Sequence, residues 1–264
     1  MARIVAISNQ KGGVGKTTTA VNLAAALAAM GRRVLVVDLD PQGNASSGLG
    51  YPRTKIDAGL YDVMFEFRDI DSVLLPTAHE RLHLLPATRD LVGAELELVT
   101  EENRERRLRK MLSEVRNRYD EILVDCPPSL GLLTVNALVG SDAVLIPLQA
   151  EYFAMEGLGE LLRTISAVRK SWNPDLQREG IVITMTDNRN NLCREVEDQA
   201  RSLFGDGVLQ TVIPRNVRLG EAPSFGQPIV QYDPRSAGAR AYFSLAEEIL
   251  ARRGTGGTAW VEAK

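Results

Sequence analysis

The stretch Ser8-Asn9-Gln10-Lys11-Gly12-Gly13-Val14-Gly15-Lys16-Thr17-Thr18-Thr19 decides how the rest of the chain is read. It follows a short apolar run, Ile4-Val5-Ala6-Ile7, and leads into a helical pattern from Thr18 to Met30. Strand, glycine-rich loop and helix in that order are the context of a phosphate-binding loop. Gly12, Gly13 and Gly15 carry no Cβ, so the backbone can curl there and turn its N–H groups onto phosphate oxygens. The N-terminus of the following helix adds its dipole at the same spot. The cradle is expected to comprise Gly12, Gly13, Val14, Gly15, Lys16, Thr17 and Thr18. In such a loop Lys16 sets a cation against the β- and γ-phosphates, and the Thr17 hydroxyl ligates Mg²⁺.

Two further strands end in carboxylates. Val34-Leu35-Val36-Val37 is a continuous apolar run of the kind a parallel strand shows when both faces are buried, and it ends in Asp38-Leu39-Asp40-Pro41-Gln42-Gly43-Asn44. Asp38 and Asp40, two apart, face the same side of an extended chain. One is suited to a metal's coordination shell and the other to orienting an attacking water; Asp40-Pro41 also reads as a turn. Ile122-Leu123-Val124-Asp125 before Cys126-Pro127-Pro128 repeats the pattern, with Asp125 placed to hold Mg²⁺. Carboxylates at the C-terminal ends of strands lie where open α/β sheets bind ligands.

The loop departs from G-x-x-x-x-G-K-[ST]: Gln10 stands where glycine is usual, and Lys11 adds a second lysine. K-G-G-V-G-K-T-T resembles the deviant phosphate loop of the ParA/MinD superfamily of ATPases. V-D-L-D-P-Q-G-N, Y-D-x-I-x-x-D-x-P-P and I-P-R-N-V-R-L-x-E-A-P-S-F-G extend the resemblance to about Arg253, and the match is to partition ATPases of the ParA/Soj type. That resemblance implies ATP and Mg²⁺ as cofactors and Lys11 reaching across a nucleotide-sandwiched homodimer. It also implies Asp40 positioning the hydrolytic water, and Pro214 and Asn216 beside the adenine. Slow hydrolysis would be coupled to binding double-stranded DNA without sequence preference, and a ParB-type centromere-binding partner would stimulate it. The place of action would be the cytoplasm, on the nucleoid.

Composition fits that picture. A chain of 264 residues with 44% hydrophobic and 25% charged residues is that of an ordinary soluble α/β domain. The expected fold is a single-domain, mostly parallel twisted sheet flanked by helices, spanning 1–253, with a flexible tail over 254–264. The net charge of −3 means that DNA would have to be met by a local basic patch. Two distant cysteines, Cys126 and Cys193, argue for a reducing compartment and against a cysteine-built cluster. A membrane-surface regulator similar to MinD would attach through a C-terminal amphipathic basic helix; Gly254 to Lys264 does not carry that pattern, so no membrane partner is expected.

Elsewhere the pattern gives a short helix over 58–65, a strand at Leu82–Pro86, and an amphipathic helix from Glu101 to Arg118. Strand–helix units follow at 143–147 with 157–172 and at 180–184 with 192–204, then a strand at 208–213 and a closing helix over 238–253. His79 and His83, four apart, read as surface residues and not as a metal pair. The prolines and glycines of 214–226 predict an irregular segment open to contact. By the resemblance, Arg189 and Arg218 fall at basic positions that partition ATPases use on DNA, with Arg215, Arg235 and Arg240 as further candidates. Ion pairs with Asp187, Glu221 or Asp233 are the alternative role for these arginines.

Overall fold

Alternation within the central strands builds two cores on one sheet. The structure is a computed structural model that describes residues 1–151, 154–187 and 189–254. Its strands are β1 (Arg3–Ile7), β2 (Val34–Asp38), β3 (Leu75–Pro76), β4 (Leu82–Leu85), β5 (Glu121–Asp125), β6 (Ala143–Gln149), β7 (Gln177–Thr186) and β8 (Val208–Pro214). They form one sheet in the order β3-β4-β2-β5-β1-β6-β7-β8. Every pairing is parallel except β3 with β4. Val5 and Ile7 of β1, with Val34 and Val36 of β2, enter one core, while Ile4, Ala6, Leu35 and Val37 enter the other. Both faces are covered, as a parallel sheet requires.

The helices are α1 (Lys16–Ala29), α2 (Asn44–Gly48), α3 (Leu60–Met64), α4 (Ile70–Val73), α5 (Leu91–Leu98), α6 (Arg107–Val115), α7 (Leu132–Gly140), α8 (Ala154–Ser171), α9 (Asn191–Phe204), α10 (Val217–Glu221), α11 (Ile229–Tyr232) and α12 (Ala237–Gly254). α1 is alanine-rich and buried along almost its whole length. Small side chains with high helix propensity let it lie close to the sheet with α12 packed against it. It stops at Gly31, whose φ of 88° only glycine adopts without strain.

Three expectations are corrected. The charged helix starts at Arg107, because Asn103 turns left-handed (φ 55°). The Asn136 side chain then holds the entry, donating to the Arg104 carbonyl at 2.8 Å and accepting from Leu108 N at 3.2 Å. The segment 214–226 is ordered: the Asn216 side chain caps α10 by accepting from Arg218 N at 2.9 Å, and a 3₁₀ turn, Ala222–Phe225, follows with proline in its first turn. Gly254, expected in the tail, is the last residue of α12, and the remainder of the proposed tail lies outside the described residues. His83 is half-buried in β4, its Nδ1 3.1 Å from the Tyr119 hydroxyl, and burial pushes its pKa down. His79 sits in the preceding turn. No cluster of three metal-binding side chains and no helix long and apolar enough to cross a membrane occurs among the described residues.

Under the sheet, opposite the strand ends that carry the aspartates, α12 is tied down by charge. Arg253 bonds Glu121 at 2.7 Å and Glu179 at 2.5 Å, and Arg3 meets Glu179 at 2.8 Å. Glu121 and Glu179 are almost fully buried. Removing one partner of such a group leaves a buried charge uncompensated. Without Arg253, Glu179 keeps Arg3 and Glu121 keeps only the longer contact of Arg32 at 3.4 Å, so Arg253→Ala is expected to lower unfolding free energy by about 1–3 kcal/mol in urea titrations, whereas Arg240→Ala, on the exposed side, should change it by less than about 0.5 kcal/mol.

Candidate nucleotide site

The sheet reverses its winding beside β1, and the site lies above the C-terminal ends of β1, β2 and β5, where such a reversal opens a crevice. Register sets its carboxylates. Asp38 of β2 is paired directly with Asp125 of β5, which is in turn opposite Ile7, the last residue of β1 before the loop. Gly13 and Gly15 adopt φ of 77° and 88°, so the loop coils as glycine allows, and Gly15 leads into α1. The buried Thr184 hydroxyl at the end of β7 donates to the Val14 carbonyl at 2.9 Å, fixing the loop against the sheet.

The loop's two lysines are sorted. Lys16 is 7% exposed, and its ammonium donates to the Lys11 carbonyl at 3.1 Å. Burial lowers its pKa, while Asp125, Cys126 and Asp40 oppose that shift. Lys11 points outward to Glu151, Nζ to Oε2 2.7 Å, and Glu151 is also held by the Gln149 side chain.

Asp38 and Asp125 are wholly buried. Asp38 Oδ2 accepts from both the amide and the hydroxyl of Ser46 at 2.7 Å, leaving Oδ1 without a partner. Neither oxygen of Asp125 has a donor at hydrogen-bonding geometry. Burial, then the neighbouring Asp38, pushes the Asp125 carboxyl well above the usual range, with the nearby Thr17 hydroxyl and Lys16 only partly offsetting it. Burial also raises Asp38, against the lowering effect of Ser46. Three buried, unpartnered carboxylate oxygens facing a phosphate loop are the donor set a hard divalent cation takes. Asp40 is 7% exposed and does form the expected turn, Oδ1 accepting from Gln42 N at 2.9 Å, yet its charge is still felt by Lys16 and Asp125.

Beside the loop lies a cavity of about 230 Å³ walled by Gly15, Thr18, Met185, Pro214, Asn216 and Tyr242. Pro214 and Asn216 thus stand next to the phosphate loop. Sequence reasoning missed Ser46, Thr184, Met185, Tyr242 and Glu151. Met185, with φ 55°, is backbone-strained in a way no sequence pattern announces.

The five arginines are exposed. Arg189 forks onto Asp187 at 2.9 and 3.0 Å, holding that carboxyl down at about 2 with help from Arg215. Arg218 meets Glu221 at 2.8 Å and Asp233 at 3.7 Å, and Arg235 N bonds Asp233 Oδ1 at 3.3 Å. Arg240 reaches the Arg235 carbonyl. Arg218 and Arg235 thus share Asp233, and Arg240 of α12 adjoins Arg235, while Arg215 acts on Asp187 only as a nearby charge. In the free protein Arg189 and Arg218 are occupied by the carboxylates named beforehand.

The fold and the loop together define a P-loop nucleoside-triphosphatase domain, and a family model described as an AAA domain matches residues 2–178. The chain is 54% identical over 251 residues to the sporulation initiation inhibitor protein Soj of Bacillus subtilis, covering 95% of this chain and 99% of that one. It is 53% identical to the chromosome partitioning protein ParA of Myxococcus xanthus, over 96% of this chain and 89% of that protein. This chain belongs to the Soj/ParA family of partitioning ATPases. Among solved structures it resembles, at TM-score 0.86 and 37% identity over 99% of this chain and 100% of the other, a Mycobacterium smegmatis protein described as cobyrinic acid a,c-diamide synthase with bound ADP and magnesium.

The buried pair makes a stability prediction. Carboxyls whose folded pKa is raised cost stability above that pKa, and the cost fades as pH falls through it. Asp125→Asn should therefore raise the unfolding temperature of the nucleotide-free chain at neutral pH, by about 2–4 °C for each kcal/mol relieved, and flatten its rise in stability on mild acidification. A lower midpoint in the variant would show that the pair is not under strain.

Proposed function

We propose that this chain is a DNA-partitioning ATPase that binds ATP with Mg²⁺, dimerises around it, binds DNA without sequence preference, and is discharged by a ParB-type partner. Residues 1–253 would form the catalytic unit. The observation that carries the reading is the sorting of the two lysines. Lys16 is buried against the carboxylates, where it serves its own nucleotide, and Lys11 is directed outward, where it can serve a second protomer's.

The cradle from Lys11 to Thr18 would hold the phosphates, and Pro214 and Asn216 the adenine. Thr17, Asp38 and Asp125 would hold Mg²⁺, Asp38 with its free oxygen Oδ1 and Asp125 with both. When bound, the ion supplies charge neutralisation between the phosphate oxygens. Asp40 would orient the attacking water. Its turn leaves Oδ2 free for that while Oδ1 fixes the loop, and an oriented water matters to the transition state more than to the ground state. The arginines after β7 and β8 would exchange their carboxylates for DNA phosphates, which carry no base information.

Two measurements test this. Lys11→Ala should bind ATP as a monomer but lose ATP-dependent dimerisation in light scattering, and normal dimerisation would remove Lys11 from the interface. Arg189→Glu and Arg218→Glu should dimerise with ATP yet bind DNA more weakly. Each lost phosphate contact should lower the slope of log affinity against log salt by roughly 0.9; parental binding at every salt concentration would place the DNA surface elsewhere.

A further inference from the structure

Asp38 and Asp125 stand side by side with unequal freedom. Neither oxygen of Asp125 has a donor at hydrogen-bonding geometry, whereas Asp38 keeps only Oδ1 free. The difference comes from one residue eight positions away. Ser46 donates to Asp38 Oδ2 twice, through its amide and through its hydroxyl, each at 2.7 Å.

The chain bends tightly to bring Ser46 there. Gly43 N donates to the Asp40 carbonyl at 2.9 Å, and Gly43 itself is left-handed at φ 65°, a conformation glycine takes without strain. α2 begins at the next residue and sets Ser46, which is wholly buried, against the end of β2.

The direction of the hydroxyl is fixed from its other side. A serine hydroxyl has one proton to give and lone pairs to receive. Ala87 N, two residues beyond β4, donates to Ser46 Oγ at 3.2 Å, so the single proton goes to Asp38. The bonds run from the Ala87 amide through Ser46 to Asp38, across the ends of two strands that pair with each other. Each bond polarises the next. Together they anchor Oδ2 and hold the plane of the carboxylate, leaving Oδ1 as the one oxygen a cation can take.

That restriction discriminates between cations. Mg²⁺ is small, demands near-ideal octahedral geometry and keeps several of its waters. Ca²⁺ accepts irregular geometry and takes carboxylates through one oxygen or two. We propose that Ser46 is a positioning residue that sets the metal specificity of the nucleotide site. By occupying Oδ2 it makes Asp38 a one-oxygen ligand, suited to Mg²⁺ and poorly suited to Ca²⁺. This rests on the proposed Mg²⁺ site and names the residue that selects its ion.

The test reads the affinity of the full chain for a fluorescent ADP analogue by anisotropy, in EDTA, in Mg²⁺ and in Ca²⁺. ADP keeps ATP-dependent dimerisation out of the reading. The gain in affinity on replacing EDTA with Mg²⁺ should fall about tenfold or more in Ser46→Ala, the usual cost of removing a group that orients a metal ligand. The gain with Ca²⁺ should fall much less, so the preference for Mg²⁺ narrows. Affinity in EDTA should match the parent's, because the Ser46 side chain bonds only Asp38 and Ala87. Ser46→Cys, close in shape but with a weak S–H donor, should fall between parent and alanine, and it carries the test if the alanine variant does not fold. Equal losses of affinity in all three solutions would mark a general structural role and overturn the proposal, as would an undiminished Mg²⁺ gain. Asp38→Asn is the control for the site itself and should lose the Mg²⁺ gain. If it does so while the Ser46 variants keep theirs, this inference alone fails. If Asp38→Asn keeps the gain, or the parent shows none, the proposed Mg²⁺ site fails and the role of Ser46 with it.

Discussion

Two carboxylates that parallel pairing sets side by side, Asp38 on β2 and Asp125 on β5, are the constraint around which the site is built. Both are fully buried, and burial pushes both toward the protonated form. Such a pair is destabilising in the folded chain unless something positive compensates it. Lys16 does so in part, and Ser46 satisfies one oxygen. What remains is a buried demand for positive charge beside Thr17 and Lys16 of the phosphate loop.

The register that creates the pair also explains why the rest of the sheet is so apolar. β2, β5 and β1 lie in the middle of the sheet, with every residue of β2 and β5 buried, so polar atoms are admitted only at the strand ends. Charge is otherwise confined to the opposite end, where Arg253, Arg3, Glu121 and Glu179 neutralise one another. The molecule thus has a compensated polar end and an under-compensated one beside the phosphate loop.

Much of this was legible in the sequence because it is written locally. The phosphate loop, the apolar runs ending in Asp38 and Asp125, and the parallel α/β fold depend on spacing within a dozen residues. The helices α5 and α7 were not legible: α7 is apolar on all sides and so shows no stripe, and α5 shows two apolar faces where one would mark a helix. The order of 214–226 escaped because Asn216 and Pro223, turn formers in general, serve here as a helix cap and a first-turn residue. Ser46 on Asp38, Thr184 on Val14 and Glu151 on Lys11 join residues between 8 and 170 positions apart, and only the folded chain brings them together.

The central claim is that Asp38 and Asp125 form a strained pair that a cation-bearing nucleotide relieves. Its most direct test is the proton count on binding Mg²⁺ and a non-hydrolysable ATP analogue, measured calorimetrically at mildly acid pH in buffers of different ionisation enthalpy. The parent should release more protons than Asp125→Asn, because cation binding deprotonates a carboxyl whose pKa the fold has raised. Equal release by parent and variant would contradict the account, showing that both carboxylates are already ionised and unstrained before the ligand arrives.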